Sequence, residues 1–302
     1  IISKAVACMN RVDSIFKVES SIEDKGRHGS RKPGSQNSGS QNPGPQNPAL
    51  RIPKVEFKDM EFVYAGAKEP ALQGISFRAM AGQTIGVIGG TGSGKSTLVN
   101  LIPRFYDAAS GQVLVDGTDV KEYSLDELRD KTGVVPQKSV LFKGTLRDNM
   151  RWGKQDASDE EIYRALDTAQ AREFVDSKGE GLDLYIDQGG HNLSGGQRQR
   201  LTIARALVRR PEILIMDDSA SALDFATDAR LRKAIRENTG DMTVFIVSQR
   251  ATTIKSADTI LVLDEGRLAG MGTHKELLKD CQVYREICLS QLSKEEVERD
   301  EQ

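Results

Sequence analysis

The feature that most restricts what this chain can become is a turn of eight residues, Gly89-Gly90-Thr91-Gly92-Ser93-Gly94-Lys95-Ser96. It matches the pattern G-x-x-x-x-G-K-[ST] in the setting that pattern needs. The apolar run from Thr84 to Ile88 reads as a buried strand, and Lys95 onward reads as a helix. Glycines let backbone N–H groups turn inward around an anion, and the start of the helix adds its partial positive charge. Lys95 brings a cation for the terminal phosphates, while Ser96, followed by Thr97, offers a hydroxyl to a divalent metal.

A second apolar run, Ile213-Leu214-Ile215-Met216, ends in Asp217-Asp218. A buried strand holds the residues at its end rigidly in place, so Asp217 is expected to hold Mg²⁺ through its water shell and Asp218 to face an attacking water. Thr243 to Val247 reads as a third buried strand. From Val55 to about residue 270, short β-branched and aromatic runs broken by Gly and Pro alternate with helical patterns, which is the texture of an α/β domain. Between Asp126 and Arg210 the strand signals vanish, and a helical subdomain inserted into the α/β core is expected there.

The flanks read differently. Ile2, Val6, Met9, Val12 and Phe16 recur at helical spacing, and the pattern opens in mid-course without an initiator Met. Residues 1–24 are therefore either the end of a longer helix or a free docking helix. Residues 25–52 hold a low-complexity stretch with glycines at Gly34, Gly39 and Gly44. So little apolar surface cannot offset the entropy of ordering, and a disordered tether is expected. The tail from Lys275 reads as helical, and residues 291–302, with the acidic run Glu295 to Glu301, as a solvated and frayed end.

Composition narrows the partners. A formal net charge of -2 gives no positive field of the size nucleic acid requires, so nucleic acid is not an expected partner. Cys8, Cys281 and Cys288 make no C-x-x-C pair and no disulfide framework, which suits structural cysteines in a reducing compartment. No run of 18 apolar residues occurs, so if the chain serves a membrane, something else spans it.

Leu193-Ser194-Gly195-Gly196-Gln197, followed by Arg198-Gln199-Arg200, resembles the signature of the ABC transporter ATP-binding domains. The resemblance is collinear over residues 53–290. It implies a RecA-like P-loop NTPase core with an N-terminal antiparallel β subdomain and an inserted α-helical subdomain. Tyr64 resembles the aromatic that stacks on adenine; Gln137, in Val134-Val135-Pro136-Gln137, resembles the glutamine that meets Mg²⁺ or water. Ser221-Ala222-Leu223-Asp224 resembles the loop that crosses the dimer seam. Leu141 to Met150 and Gly272-Thr273-His274 resemble segments of exporter ATPases.

The resemblance further implies ATP and Mg²⁺ as ligands and two domains that sandwich nucleotides head to tail. Ser194, Gly195, Gly196 and Gln197 would then serve the opposite subunit's γ-phosphate. Residues 1–24 become the cytosolic end of the last transmembrane helix of a half-transporter, and the domain would work at the cytoplasmic face of the membrane. A coiled-coil insertion or tandem cassette, expected of soluble ABC ATPases of DNA repair or translation, does not occur in the sequence.

Two positions depart from the family pattern. Where a fast site has Asp-Glu, this chain has Asp217-Asp218, shorter by a carbon–carbon bond of about 1.5 Å. A misplacement of about 1 Å can cost about 100-fold in rate. Where the family places His, Gln249 stands; it can donate a hydrogen bond to a γ-phosphate but cannot become cationic. Ile186-Asp187-Gln188-Gly189-Gly190 also replaces the Glu-Arg found before the signature in exporters, which puts that coupling contact in doubt. Asp218 and Gln249 together suggest a slow, ATP-retaining site in a heterodimer. A homodimer with two modestly impaired sites and a regulatory nucleotide-binding module are the other readings.

Overall fold

The computed structural model describes Ile22, Asp24, residues 52–219 and residues 223–301. The expected opening helix and most of the tether lie outside the described residues, as do Ser221 and Ala222. After β1 (Val55–Phe62) and β2 (Leu72–Ala79) the chain enters β3 (Thr84–Gly89), then forms β4 (Ser110–Val115) and β5 (Thr118–Asp119). Next come β6 (Thr132–Val135) and the short pair β7 (Gly144–Thr145) and β8 (Tyr185–Ile186). The last four strands are β9 (Ile213–Asp217), β10 (Thr243–Val247), β11 (Thr259–Asp264) and β12 (Arg267–Gly272).

An antiparallel sheet takes the order β2-β1-β4-β5, and a larger sheet takes β12-β11-β3-β10-β9-β6. In the larger sheet β11, β3, β10, β9 and β6 run parallel, and β12 closes one edge antiparallel. Each central strand splits its side chains between two cores, because successive residues of a strand point to opposite faces. Ile85, Val87, Ile213, Ile215, Phe245 and Val247 pack toward the antiparallel sheet, with Phe57, Phe77 and Leu98. Ile88, Leu214, Met216, Val244 and Ile246 pack toward the helices, with Leu201, Ile203 and Leu207. Burial on both faces explains why these strands read as unbroken apolar runs.

The helical insertion is smaller than the expected 126–210. Thr132 to Val135 form the edge strand β6, paired with Ile213 to Met216 of β9, and β7 pairs with β8. Four residues between Lys131 and Pro136 are too few to show an alternation. Helices at Leu146–Arg151, Asp159–Thr168, Arg172–Ser177 and Gly195–Leu207 make up the insertion.

The acidic tail is a docked helix rather than a frayed end. Residues Lys294–Glu301 bury Val297, and Asp300 faces both His274 (3.3 Å) and Lys255 (3.6 Å). Ser293 and Glu296 cap its start reciprocally. The packed domain therefore continues past residue 290, up to Glu301. Cys281 and Cys288 are buried, and burial pushes the Cys288 thiol up to about 11, as expected of a structural cysteine. Among the described residues no helix is long and apolar enough to cross a membrane.

At the foot of β9 four charges form a closed ring. Lys54 Nζ lies 2.6 Å from both Asp116 and Glu212, and Lys131 Nζ lies 3.1 and 3.0 Å from the same two carboxylates. The Lys54 hydrogen bond, opposed by burial, brings the Glu212 carboxyl below its ordinary range; at Asp116 burial opposes, and the two lysines prevail in the same direction.

Candidate functional site

The strand β3 stops at Gly89 and the helix Lys95–Asn100 begins six residues later. Gly94, the residue before that helix, is left-handed at φ 95° and gives it no side-chain cap. A Cβ there would meet Leu72 Cδ2 at 2.6 Å, so only glycine lets the turn close over β2. At Gly92, φ 82°, a Cβ would meet nothing within 4 Å, so the turn faces open space on this side. The result is a backbone cradle whose first-turn N–H groups are not claimed by a capping side chain.

Lys95 is buried, and its Nζ donates to the carbonyls of Gly89 (3.0 Å) and Gly90 (2.6 Å). Burial lowers its pKa, while Asp217 and Asp218 pull it back up. Ser96 Oγ donates to Asp217 Oδ1 at 2.9 Å, which brings the hydroxyl and carboxylate together as two metal ligands would be. Burial raises the Asp217 carboxyl, the Ser96 hydrogen bond opposes this, and the neighbouring Asp218 adds to the rise. A cation at this spot would relieve both the desolvation and the repulsion.

Asp218 takes a left-handed backbone, φ 44°, and its N–H donates to Val247 O at 3.0 Å. Gln137 Nε2 donates to its Oδ2 at 3.2 Å. The turn thus carries the second carboxylate toward β10 and the loop that bears Gln249. Tyr64 is 41% exposed, which excludes a core role; it packs edge-on against Phe62 and Tyr106, and its hydroxyl lies 2.7 Å from Thr97 Oγ1.

These groups line one cleft of about 400 Å³. Tyr64, Thr91, Gly92, Gly94, Lys95, Ser96, Thr97, Gln137, Asp217, Asp218 and Gln249, all expected from sequence, meet there. A cleft of this size falls in the range that takes a cofactor. Donors of the turn, the Lys95 ammonium and the Ser96–Asp217 pair fit a nucleoside triphosphate with its magnesium. Gly89, Gly90 and Ser93 shape the turn from behind: Gly89 and Gly90 hold Lys95 through their carbonyls, and Ser93 is buried, its Oγ 3.4 Å from Lys95 Nζ.

Ser194 to Gln197 lie elsewhere. Ser194 caps the helix Gly195–Leu207: its Oγ accepts from Gln197 N, and Gln197 Oε1 accepts from Ser194 N. Gly195 lines a second cleft of about 490 Å³ with Gly189, His191 and Arg198; Gln137 lines both clefts. Two contacts escaped the sequence. Gln291 binds the backbone of the Gln249 loop, and Glu212 holds Lys54.

A glycine turn between a buried parallel strand and a helix, with an acidic strand end beside it, defines the P-loop nucleoside-triphosphatase fold. Residues 72–221 match the family model described as ABC transporter, and the chain belongs to that family as an ATP-binding domain. An uncharacterised ABC transporter ATP-binding protein of Mycobacterium tuberculosis is 49% identical over 233 residues, 76% of this chain and 40% of the relative. An ATP-dependent lipid A-core flippase of Haemophilus influenzae is 43% identical over 239 residues, 79% of this chain and 41% of the relative. A structure of a bacterial Atm1-family ABC exporter with ATP bound superposes with a TM-score of 0.80 at 34% identity, over 97% of this chain and 48% of that one. The chain thus spans about 40% of the length of these curated relatives.

Proposed function

We propose that this chain is the ATP-binding part of an ABC exporter subunit, which couples ATP binding and hydrolysis at a dimer interface to transport, and that its own site is slow. The convergence of Lys95, Ser96, Gln137, Asp217, Asp218 and Gln249 on one cleft carries this reading. Bound MgATP supplies a cleavable γ-phosphoryl group and a divalent charge. The turn from Gly89 to Gly94 binds the phosphates, Lys95 neutralises them, and Ser96 and Asp217 orient the metal's shell. Tyr64 at the rim stacks on the base, and Gln137 tethers Asp218.

Hydrolysis needs a group that reaches a water and a donor that follows the developing charge. Asp218 is one carbon shorter than the family's Glu, and Gln249 stays neutral. ATP is therefore held and turned over slowly. Ser194 to Gln197, outside the cleft, are left for the site of an opposite ABC subunit, and the two substitutions at Asp218 and Gln249 favour a different chain in that place, a heterodimer. A transmembrane domain, to which residues 1–24 lead, places the ATP-binding domain at the cytoplasmic face of the membrane.

The test is steady-state Mg-ATP hydrolysis by the concentrated chain and by an Asp218→Glu, Gln249→His variant, once both are shown to bind ATP. A wild type that binds but scarcely turns over, beside a variant faster by about 10- to 100-fold, supports the slow site. Equal turnover in both would replace the heterodimer by a working homodimer.

A further inference from the structure

We infer that Gln291 is a positioning residue for the cleft: its side-chain amide clamps the loop that carries Gln249. Gln291 Nε2 donates to the carbonyl of Gln249 at 2.7 Å, and Gln291 Oε1 accepts from the N–H of Ala251 at 2.9 Å. One amide thus fixes the peptide groups on both sides of Arg250.

The loop needs such an anchor. Ser248, at its start, is buried and bound to Val87 O, and Arg250 N donates to Ser248 Oγ. Beyond it the helix Ala251–Ile254 starts without a side-chain cap from Arg250. Its first N–H would be an orphan donor, and Gln291 caps it from 40 residues away. With both carbonyl and N–H held, the backbone torsions between Gln249 and Ala251 have little freedom. The peptide that follows Gln249 is thereby held, and the Gln249 side chain, which lines the cleft, projects from that held backbone.

Gln291 is itself well placed. It ends the helix Gln282–Gln291, whose Tyr284 and Cys288 are fully buried and whose Tyr284 hydroxyl meets His274 Nδ1 at 2.8 Å. The C-terminal helices therefore reach the nucleotide cleft through one side chain. This inference rests on the proposed function, in which Gln249 faces the γ-phosphate, so Gln291 acts on ATP through Gln249 and leaves ADP alone.

The experiment uses the full chain in four forms: wild type, Gln291→Leu, Gln249→Ala and the double variant. Leucine keeps the bulk and the helix and removes both hydrogen bonds. Amide exchange at Ala251, without nucleotide, reads the clamp, and dissociation constants for Mg-ATP and Mg-ADP read its consequence. Gln291→Leu is expected to speed exchange at Ala251 by about tenfold and weaken ATP by about three- to tenfold, with ADP unchanged. In the Gln249→Ala background it is expected to weaken ATP no further. Unchanged exchange at Ala251, an equal loss for ATP and ADP, or an additive loss in the double variant would each overturn the inference while leaving ATP binding in place. A wild type that binds neither nucleotide would instead sink the functional reading and the inference with it.

Discussion

The phosphate turn at Gly89 to Ser96 and the signature turn at Ser194 to Gln197 are built from the same parts, glycines and a serine at the start of a helix, yet they differ in what surrounds them. At the first, Gly94 offers no cap, a buried lysine stands inside, and two carboxylates close the far wall. At the second, Ser194 and Gln197 satisfy each other's backbone groups, and among the described residues no Asp or Glu lines the adjoining cleft. A helix start attracts anions in either case. A metal-bound triphosphate also needs acids and a buried cation, so the first turn can found a site, whereas the second can complete one.

Loss of the buried cation should separate the two turns most strongly. Lys95→Ala is expected to lower ATP affinity by about 100-fold or more, measured by equilibrium binding to the isolated chain. A loss below threefold would mean that the cleft does not hold the phosphates. Ser194→Ala should cost about 1 kcal/mol of stability through the lost cap, read by denaturant unfolding, and leave the chain's own ATP affinity within twofold. If ATP affinity fell as far as with Lys95→Ala, both turns would serve one nucleotide and the contrast would be lost.

The next effect concerns the strand that positions the carboxylates. Lys54→Ala opens the charge ring at the foot of β9, leaving Glu212 and Asp116 with Lys131 alone. A loss of about 1–2 kcal/mol is expected, below that for a fully buried pair because both carboxylates stay partly in water. The folded-state carboxyls sit below their unfolded values, so this stability is present above the ordinary Glu value of 4.5 and fades as pH falls through the lower folded value. The wild-type and Lys54→Ala melting temperatures should therefore converge at acid pH. The smallest effect is chemical: with its thiol pushed up to about 11 and its side chain buried, Cys288 should resist alkylation in the folded chain and react on unfolding.

Most of the cleft was legible because its residues lie on three apolar strands and the turns at their ends. Thr84 to Ile88, Ile213 to Met216 and Thr243 to Val247 announce themselves by burial on both faces, and Lys95, Asp217 and Gln249 stand at or just beyond their ends. β6 was not legible, because four residues carry too little periodicity. Nor was the docking of the tail: its acidic surface gives the texture of a solvated end, while Leu292 and Val297 pack on the core and Asp300 and Glu301 meet His274, Lys255 and Arg285. The Gln291 clamp leaves no trace in local pattern, since it joins a side chain to a backbone 42 residues away. Side-chain to main-chain bonds of that span arise only once the elements are packed.

Lys54 comes directly after Ile52 and Pro53, where the described domain begins, and its ammonium grips Glu212 immediately before β9. Five residues on, about 16 Å along the strand, stand the Asp217 and Asp218 carboxylates. A pull arriving at Lys54 would thus be delivered to the base of the very strand whose tip carries those two carboxylates. The ring is a mooring point, and β9 is the rod through which tension at one end of the domain would be felt at the other.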